Sequence, residues 1–157
     1  MPREAAVNSE PRLTIQSRLE DLALLWPWAE SIAEEHAAPT SARYAIHLCL
    51  EEAISNVIRH GYGGQPGRPV TVEFSSAPGE LVFTVEDQAP PFDPLGFRGN
   101  DAEPAPTSPA SSCIDEIPLG GQGIRLMRKF AGGLSYTRLA HGNRLALRFP
   151  VRPIEPL

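Results

Sequence analysis

A proline-rich segment in the middle of the chain limits the folds that this sequence can adopt. No apolar period is sustained between Gln88 and Leu119, and this stretch holds seven of the chain's 17 prolines, namely Pro90, Pro91, Pro94, Pro104, Pro106, Pro109 and Pro118. Proline lacks the backbone N–H group and is disfavoured inside helices and central strands. We therefore expect regular structure on both sides of this segment. The segment itself is expected to be a long loop, either a functional lid or an insertion without fixed structure.

Five short runs have the alternation or the β-branched and aromatic composition of strands. They are Leu13–Ser17, Val70–Phe74, Leu81–Glu86, Leu134–Leu139 and Arg144–Phe149. The turn sequence Ala77–Glu80 joins the second run to the third, and Ala140–Asn143 joins the fourth to the fifth. These connections predict two antiparallel hairpins.

Three segments have the apolar spacing of amphipathic helices. They are Leu19–Ala33, a segment from Thr40 or Ser41 to about His60, and a segment from Gly120 to about Ala131. Pro27 is expected to kink or restart the first helix, and Thr40 or Ser41 is expected to cap the second. The order of elements predicts an α+β domain, a two-layer α/β sandwich with a mixed, mostly antiparallel sheet and helices on one face. We expect residues 12–152 to form the domain, with a flexible arm over 1–11, a lid over about 98–119 and a tail over 153–157.

The composition excludes several classes of protein. A formal charge of −5, from 19 acidic and 14 basic residues, argues against a protein that binds nucleic acid through clustered cations. No apolar run is long enough to span a membrane, and the N-terminal residues lack the apolar core of a secretory signal. Two cysteines, Cys49 and Cys113, are too few for a disulfide scaffold. We therefore expect a cytoplasmic protein.

Three polar features could carry chemistry. Glu52 and Asn56 lie one turn apart on the second predicted helix, although an isolated pair of this kind is usually only solvated. Asp87 follows a strand and precedes the loop, where a lone acid more often forms a turn than a site. Gly120–Gly123 opens a helix whose free N–H groups favour an anion such as phosphate, but a short glycine cluster is also compatible with a hinge.

In this order, the three features resemble a known family. The segments Glu52–Tyr62, Val85–Pro94 and Gly120–Met127, with the closing Gly142–Leu147, are similar to those of small stand-alone members of the histidine-kinase-like ATPase superfamily. The chain looks most like the anti-sigma-factor serine kinases of bacterial partner-switching systems. The resemblance extends over roughly Leu13–Phe149 and implies that superfamily's fold, with a lidded ATP pocket.

The resemblance also implies roles for individual residues. Asn56 would hold Mg²⁺, Glu52 would act as the base that accepts the proton of the substrate hydroxyl, and Asp87 would accept a hydrogen bond from the adenine amino group. The remaining nucleotide contacts would come from Ala89, Pro91, Phe92, Gly120, Gly121, Gln122, Gly123 and Ile124. Ala89 and Pro91 stand where the wider superfamily has glycines. Mg²⁺ prefers oxygen ligands, and phosphoryl transfer mainly requires positioning and charge neutralisation, so these residue types suit the chemistry.

The resemblance leaves more than one function open. The first is a Mg²⁺- and ATP-dependent protein serine/threonine kinase that phosphorylates a small antagonist protein and so regulates transcription. The second is a nucleotide-binding protein that sequesters a sigma factor or another regulator without efficient phosphotransfer, and the third is a scaffold with an empty pocket. An antagonist protein is the expected partner, with a sigma factor as a further candidate. The expected exposed face of the sheet leaves room for a homodimer, but the sequence has no periodic stripe of apolar residues that would require one.

Several nearby residues have more than one interpretation. Arg59 and His60 could contact phosphate, but structural pairing is at least as common for such residues. Cys49, Trp26 and Trp28 are expected to serve packing.

Overall fold

The computed structural model describes residues 11–93 and 119–151, with the side chains of the second range described from Gly123 onward. The strands are β1 (Arg12–Gln16), β2 (Pro69–Ala77), β3 (Glu80–Asp87), β4 (Gly133–Leu139) and β5 (Gly142–Pro150). The helices are α1 (Leu22–Glu35), α2 (Thr40–Asn56) and α3 (Leu119–Phe130). Apart from the boundary residues Pro11 and Leu119, the predicted arm, lid and tail lie outside the described residues, as does Cys113.

The strands form one open sheet in the order β1-β2-β3-β5-β4, and each of its four neighbouring pairs is antiparallel. Both predicted hairpins are present. The α+β sandwich is confirmed, and the described part of its sheet is antiparallel throughout rather than mixed. Because β5 lies beside β3, Asp87 at the end of β3 is opposite Asn143 near the start of β5. This register brings the end of the first hairpin next to a residue more than fifty positions away in the sequence.

One face of the sheet carries the hydrophobic core. Side chains from alternating positions, such as Val70, Val72 and Phe74 of β2, are buried, and α2 contributes fully buried Ile46 and Leu50. Complete burial of a side chain of this size contributes about 1.5–3 kcal/mol relative to exposure. The alternation therefore fixes which face of each strand meets the helices, as the period-2 pattern predicts.

The opposite face of the sheet is polar. Arg144 pairs with Glu86 at 2.7 Å across β5 and β3, and Arg148 pairs with Glu80 at 2.8 Å further along the same strands. Cross-strand pairs of this kind are partly exposed and contribute about 1 kcal/mol or less each. This face is thus suited to contact with water.

The predicted cap of α2 is wrong, and of the two alternatives at Pro27, a kink or a restart of the first helix, the structure contradicts the restart. α2 begins at Thr40 itself and its cap residue is Pro39, which makes no side-chain capping bond, so neither Thr40 nor Ser41 is the cap. The extended conformation of Pro39 places its carbonyl to accept from Arg43 N–H at 3.0 Å, which closes the first turn without a capping hydroxyl. α1 remains a single helix through Pro27 and is not restarted there, and a 3₁₀ turn at Leu19–Asp21 precedes it.

The end of α2 differs from an ordinary helix. The chain continues from Asn56 into a π-helical turn, Val57–Gly61, in which Tyr62 N–H donates to the carbonyl of Val57 at 2.7 Å. The helical segment therefore ends close to the predicted His60. Single π turns are rare and often lie at functional sites. None of the helices within the described ranges is long and apolar enough to cross a bilayer.

Candidate functional site

Glu52 and the first turns of α3 are in direct contact. Gly123 faces α2 so closely that a Cβ atom added there would overlap Oε1 of Glu52 and lie 3.6 Å from its Cβ. Burial, and next the negative charge of Glu51, raise the pKa of the Glu52 carboxyl, while Arg59 lowers it to a smaller extent. A half-buried carboxyl with a raised pKa is a candidate for general acid–base work.

Asn56 lies one turn beyond Glu52 and is 4% exposed. Its Nδ2 atom is buried and has no hydrogen-bond partner within the described ranges. An unpaired buried amide costs about 1–3 kcal/mol, so such a group is commonly completed by water or a ligand. Asn56 is therefore an unsatisfied polar group inside the domain, at the point where α2 passes into the π-helical turn.

Asp87 is buried at the end of β3, with 7% of its surface exposed. Its Oδ1 accepts hydrogen bonds from Ala89 N–H and from Asn143 Nδ2, each at 2.8 Å. Burial raises the pKa of the Asp87 carboxyl, and these two hydrogen bonds oppose that effect. The bond from Ala89 N–H closes a turn over the side chain of Asp87, which is the alternative that the sequence left open for a lone acid at this position. Asp87 therefore forms a turn and is also buried in the interior.

A cavity lies between Asn56 and Asp87. Its lining includes Asn56, Asp87, Phe92, Met127, Tyr136 and Asn143. Its volume is about 20 Å³, which is room for about one water molecule. Ligand pockets usually measure about 300–1,000 Å³, so a nucleotide base could enter only if the side chains around this cavity moved apart.

Asn143 connects β5 to the loop after β3. Its Nδ2 donates to Asp87 and to the carbonyls of Ala89 at 3.3 Å and Pro90 at 3.0 Å. Its Oδ1 accepts from Phe92 N–H at 3.2 Å, from the Tyr136 hydroxyl, and from Arg138 at 3.3 Å. The sequence reasoning missed this residue because it assigned Asn143 to a turn. Only the pairing of β3 with β5 reveals its role.

The loop residues predicted to contact a nucleotide have different environments. Ala89 is 2% exposed, and its Cβ lies 3.2 Å from the position of a Cβ built on Gly61, so the methyl group fills space against the end of the π-helical turn. Pro91 is exposed, and the Phe92 ring stacks on His60 with centroids 6.1 Å apart. His60 thus has the structural pairing that the sequence left open.

The remaining predicted contacts lie on α3. Gly120, Gly121 and Gln122 are in its first turn, where only the backbone is described. The side chain of Ile124 is 2% exposed and belongs to the hydrophobic core. Cys49 is also fully buried, which raises the pKa of its thiol to about 12, and both tryptophans pack against the core. The packing interpretation of these three residues is thus confirmed.

Tyr62 is a second residue that the sequence did not single out. Its hydroxyl donates to the carbonyl of Pro69 and accepts from Gln88 N–H, both at 2.7 Å. It therefore joins the end of the π-helical turn, the start of β2 and the loop beyond Asp87. No local pattern identifies these bonds, because all three segments are brought together only by the fold.

Comparison with known proteins identifies the family. The sequence profile of the histidine kinase-like ATPase domain matches residues 15–149. The chain belongs to this family. The match agrees with the resemblance found from the ordered motifs, and it covers Glu52, Asn56, Asp87 and the whole of α3.

Two relatives of this histidine kinase-like ATPase domain are informative. The serine/threonine-protein kinase BtrW of Bordetella bronchiseptica is 30% identical over 122 residues, which are 76% of this chain and 79% of that protein. The structure of the RsbU and RsbW domains of Rv1364c from Mycobacterium tuberculosis superposes with a TM-score of 0.58 at 15% identity. That match covers 92% of this chain and 35% of the other, so the chain spans about a third of that structure. At this identity the superposition confirms the fold alone.

A magnesium ion fits this ATPase domain through few protein ligands. Among the described residues, no group of three or more His, Cys, Asp or Glu side chains could hold a metal by itself. Mg²⁺ in nucleotide sites usually keeps several waters and takes one or two protein oxygens with the substrate phosphates. The amide of Asn56, whose buried Nδ2 has no hydrogen-bond partner within the described ranges, can offer one oxygen to such a minimal ligand set.

Proposed function

We propose that this ATPase domain is a Mg²⁺-dependent protein serine/threonine kinase that phosphorylates a small antagonist protein in a bacterial partner-switching system. The proposal rests on the convergence of Asn56 and Asp87 on one cavity, with Glu52 one turn from Asn56 and against α3. The identity to a serine/threonine-protein kinase supports phosphoryl transfer as the reaction. The chemical types of Asp87, Asn56 and Glu52 suit, respectively, binding of the adenine ring, of a metal-bound phosphate chain and of an acceptor hydroxyl.

Each group would have a defined task. Asp87 would accept a hydrogen bond from the amino group of adenine through Oδ2, because Oδ1 already accepts two bonds. Asn56 would supply an oxygen to Mg²⁺, which neutralises charge on the phosphates when bound. Glu52 would accept the proton of a serine or threonine hydroxyl as that oxygen bonds to the γ-phosphorus and the bond to ADP breaks. The backbone N–H groups at the start of α3 would face the phosphates.

Calorimetry with ATP, with and without Mg²⁺, tests the binding part of the proposal. We expect binding that is tighter with Mg²⁺, and Asn56→Ala should remove the metal-dependent part. Arg148→Gln, on the outer face of β5, is the matched control and should bind as wild type does. Absence of any binding heat or melting shift with adenine nucleotides would contradict the proposal and leave the scaffold function.

Incubation with labelled ATP and an antagonist protein encoded beside this chain's gene tests the transfer part. We expect label on a serine or threonine of the antagonist and none in the presence of Glu52→Ala protein, which should still bind ATP. Tight ATP binding without transfer would instead support sequestration of a sigma factor or another regulator. A pull-down would then identify that partner.

A further inference from the structure

The loop that follows Asp87 is held from one side by a single amide. Asn143 spans four residues of this segment: its nitrogen bonds Asp87 and the carbonyls of Ala89 and Pro90, and its oxygen accepts from Phe92 N–H. Asn143 is 4% exposed, and its bonds to Asp87 and Ala89 are buried, in a region of low dielectric where such bonds are strengthened. The amide therefore holds the segment from residue 87 to residue 92 at four points, and Tyr62 holds it at Gln88 from the other side.

The orientation of the Asn143 amide is fixed by its neighbours on β4. Tyr136 O–H and Arg138 both donate to Oδ1 of Asn143, as does Phe92 N–H, and neither the Arg138 guanidinium nor a backbone N–H can accept from an amide nitrogen. The oxygen must therefore face β4, which turns the nitrogen toward Asp87. Arg138 also donates to the carbonyl of Ala89 at 2.9 Å, so it supports the loop directly as well.

We propose that Asn143 is the residue that positions Asp87 for adenine recognition, with Arg138 as its support. This inference rests on the proposed function. With Oδ1 committed to the Asn143 and Ala89 donors, the carboxylate cannot rotate without losing both bonds, and Oδ2, which receives neither of them, would be the oxygen that meets the adenine amino group. Asn143 itself acts through Asp87 and is a positioning residue.

Two substitutions at residue 143 test this role. Asn143→Ala removes the donor and should weaken ATP binding by about tenfold or more, since a hydrogen bond to a charged group contributes about 1.5–3 kcal/mol. The rate of transfer at saturating ATP should change less than about threefold, because the lost bonds lie near the adenine ring of the nucleotide and not near its phosphates. A merely structural defect would lower the transfer rate and the melting temperature without this separation.

Asn143→Asp adds a readout that depends on pH. Its inner oxygen would face three acceptors, Oδ1 of Asp87 and the carbonyls of Ala89 and Pro90, unless it carries a proton. We therefore expect ATP affinity relative to wild type to be lowest at pH 8 and to recover toward pH 5.5, where the protonated acid can donate again. The ratio to wild type removes the titration of ATP itself.

Arg138→Gln tests the same inference if the variants at residue 143 fail to fold. Arg138 is an exposed residue, and its loss should raise the dissociation constant of ATP while the melting temperature stays close to that of wild type. Unchanged ATP affinity in Arg138→Gln and in either folded residue-143 variant would overturn the inference alone. Absence of ATP binding by the wild-type protein would overturn the proposed function and this inference with it.

Discussion

Gly123 of α3 lies against the carboxylate of Glu52 on α2, with no space for a side chain between the two helices. The atom that a Cβ would displace is the end of a flexible side chain, so Gly123→Ala should fold. The Glu52 carboxylate would have to move, and displacement of a catalytic group by about 1 Å can cost about 100-fold in rate. We expect slower transfer with nearly unchanged ATP binding.

A double substitution checks whether Gly123 acts through Glu52. Added to Glu52→Gln, the Gly123→Ala change should cause no further loss of transfer, because the group that it displaces is already inactive. An additional loss of the same size in both backgrounds would show that the alanine acts elsewhere.

Glu52 should control the pH dependence of transfer. A base must be ionised, and burial raises the pKa of Glu52 above its ordinary 4.5, so the rate should rise with pH through a midpoint above that value. Glu52→Gln should lower the rate by about 10²–10⁴-fold. Measurement of the single-turnover rate from pH 4.5 to 8 gives the midpoint.

The neighbouring residue supplies a matched control for this profile. Glu51 is exposed, and its charge is one cause of the raised pKa of Glu52. Glu51→Gln should therefore move the midpoint to lower pH and leave the plateau rate unchanged. A midpoint that does not move would argue against Glu52 as the titrating base.

Asp87 should reduce the stability of the nucleotide-free domain. Because burial raises its folded pKa, protonation favours the folded state, and stability is lost as pH rises from the unfolded value of 3.8 through the folded one. Asp87→Asn should melt at a higher temperature than wild type at pH 7 and lose ATP binding. The difference in melting temperature should vanish below pH 3.8. A variant that melts below wild type at pH 7 would contradict this.

Gly142 should be intolerant of any side chain. A Cβ there would overlap the backbone carbonyl of Asp87, which cannot move without breaking the β3–β5 pairing. Gly142→Ala should reduce the free energy of unfolding by about 1–3 kcal/mol, measured by urea denaturation. Gly133→Ala is the control, because a Cβ at residue 133 would come no closer than 3.4 Å, to the Arg148 side chain. Equal stabilities for the two variants would refute the packing argument.

Local patterns were sufficient for most of the fold. The alternation in β2 and the helical spacing around Ile46 and Leu50 directly reflect which side chains are buried, so the elements could be assigned within a few residues. The cap of α2 differs from the prediction because a hydroxyl residue near a helix start is only a statistical signal of capping. The backbone of Pro39 closes the turn without it.

The candidate site was predictable only in part. Glu52, Asn56 and Asp87 stand in recognisable motifs, and the fold brings Asn56 and Asp87 to one cavity. Asn143 and Tyr62 could not be identified, because their partners are determined by strand register and by loop contacts between distant segments. Long-range pairing of this kind leaves no periodic trace in a single sequence.

One phenolic oxygen has a consequence for motion in this domain. The hydroxyl of Tyr62 holds Gln88, next to Asp87, and the Tyr62 backbone closes the turn that follows Asn56. If an entering adenine ring displaces the loop after Asp87, the bond between Gln88 and Tyr62 transmits that displacement to the end of α2. We expect adenosine alone, without any phosphate, to alter amide hydrogen exchange in the turn beyond Asn56.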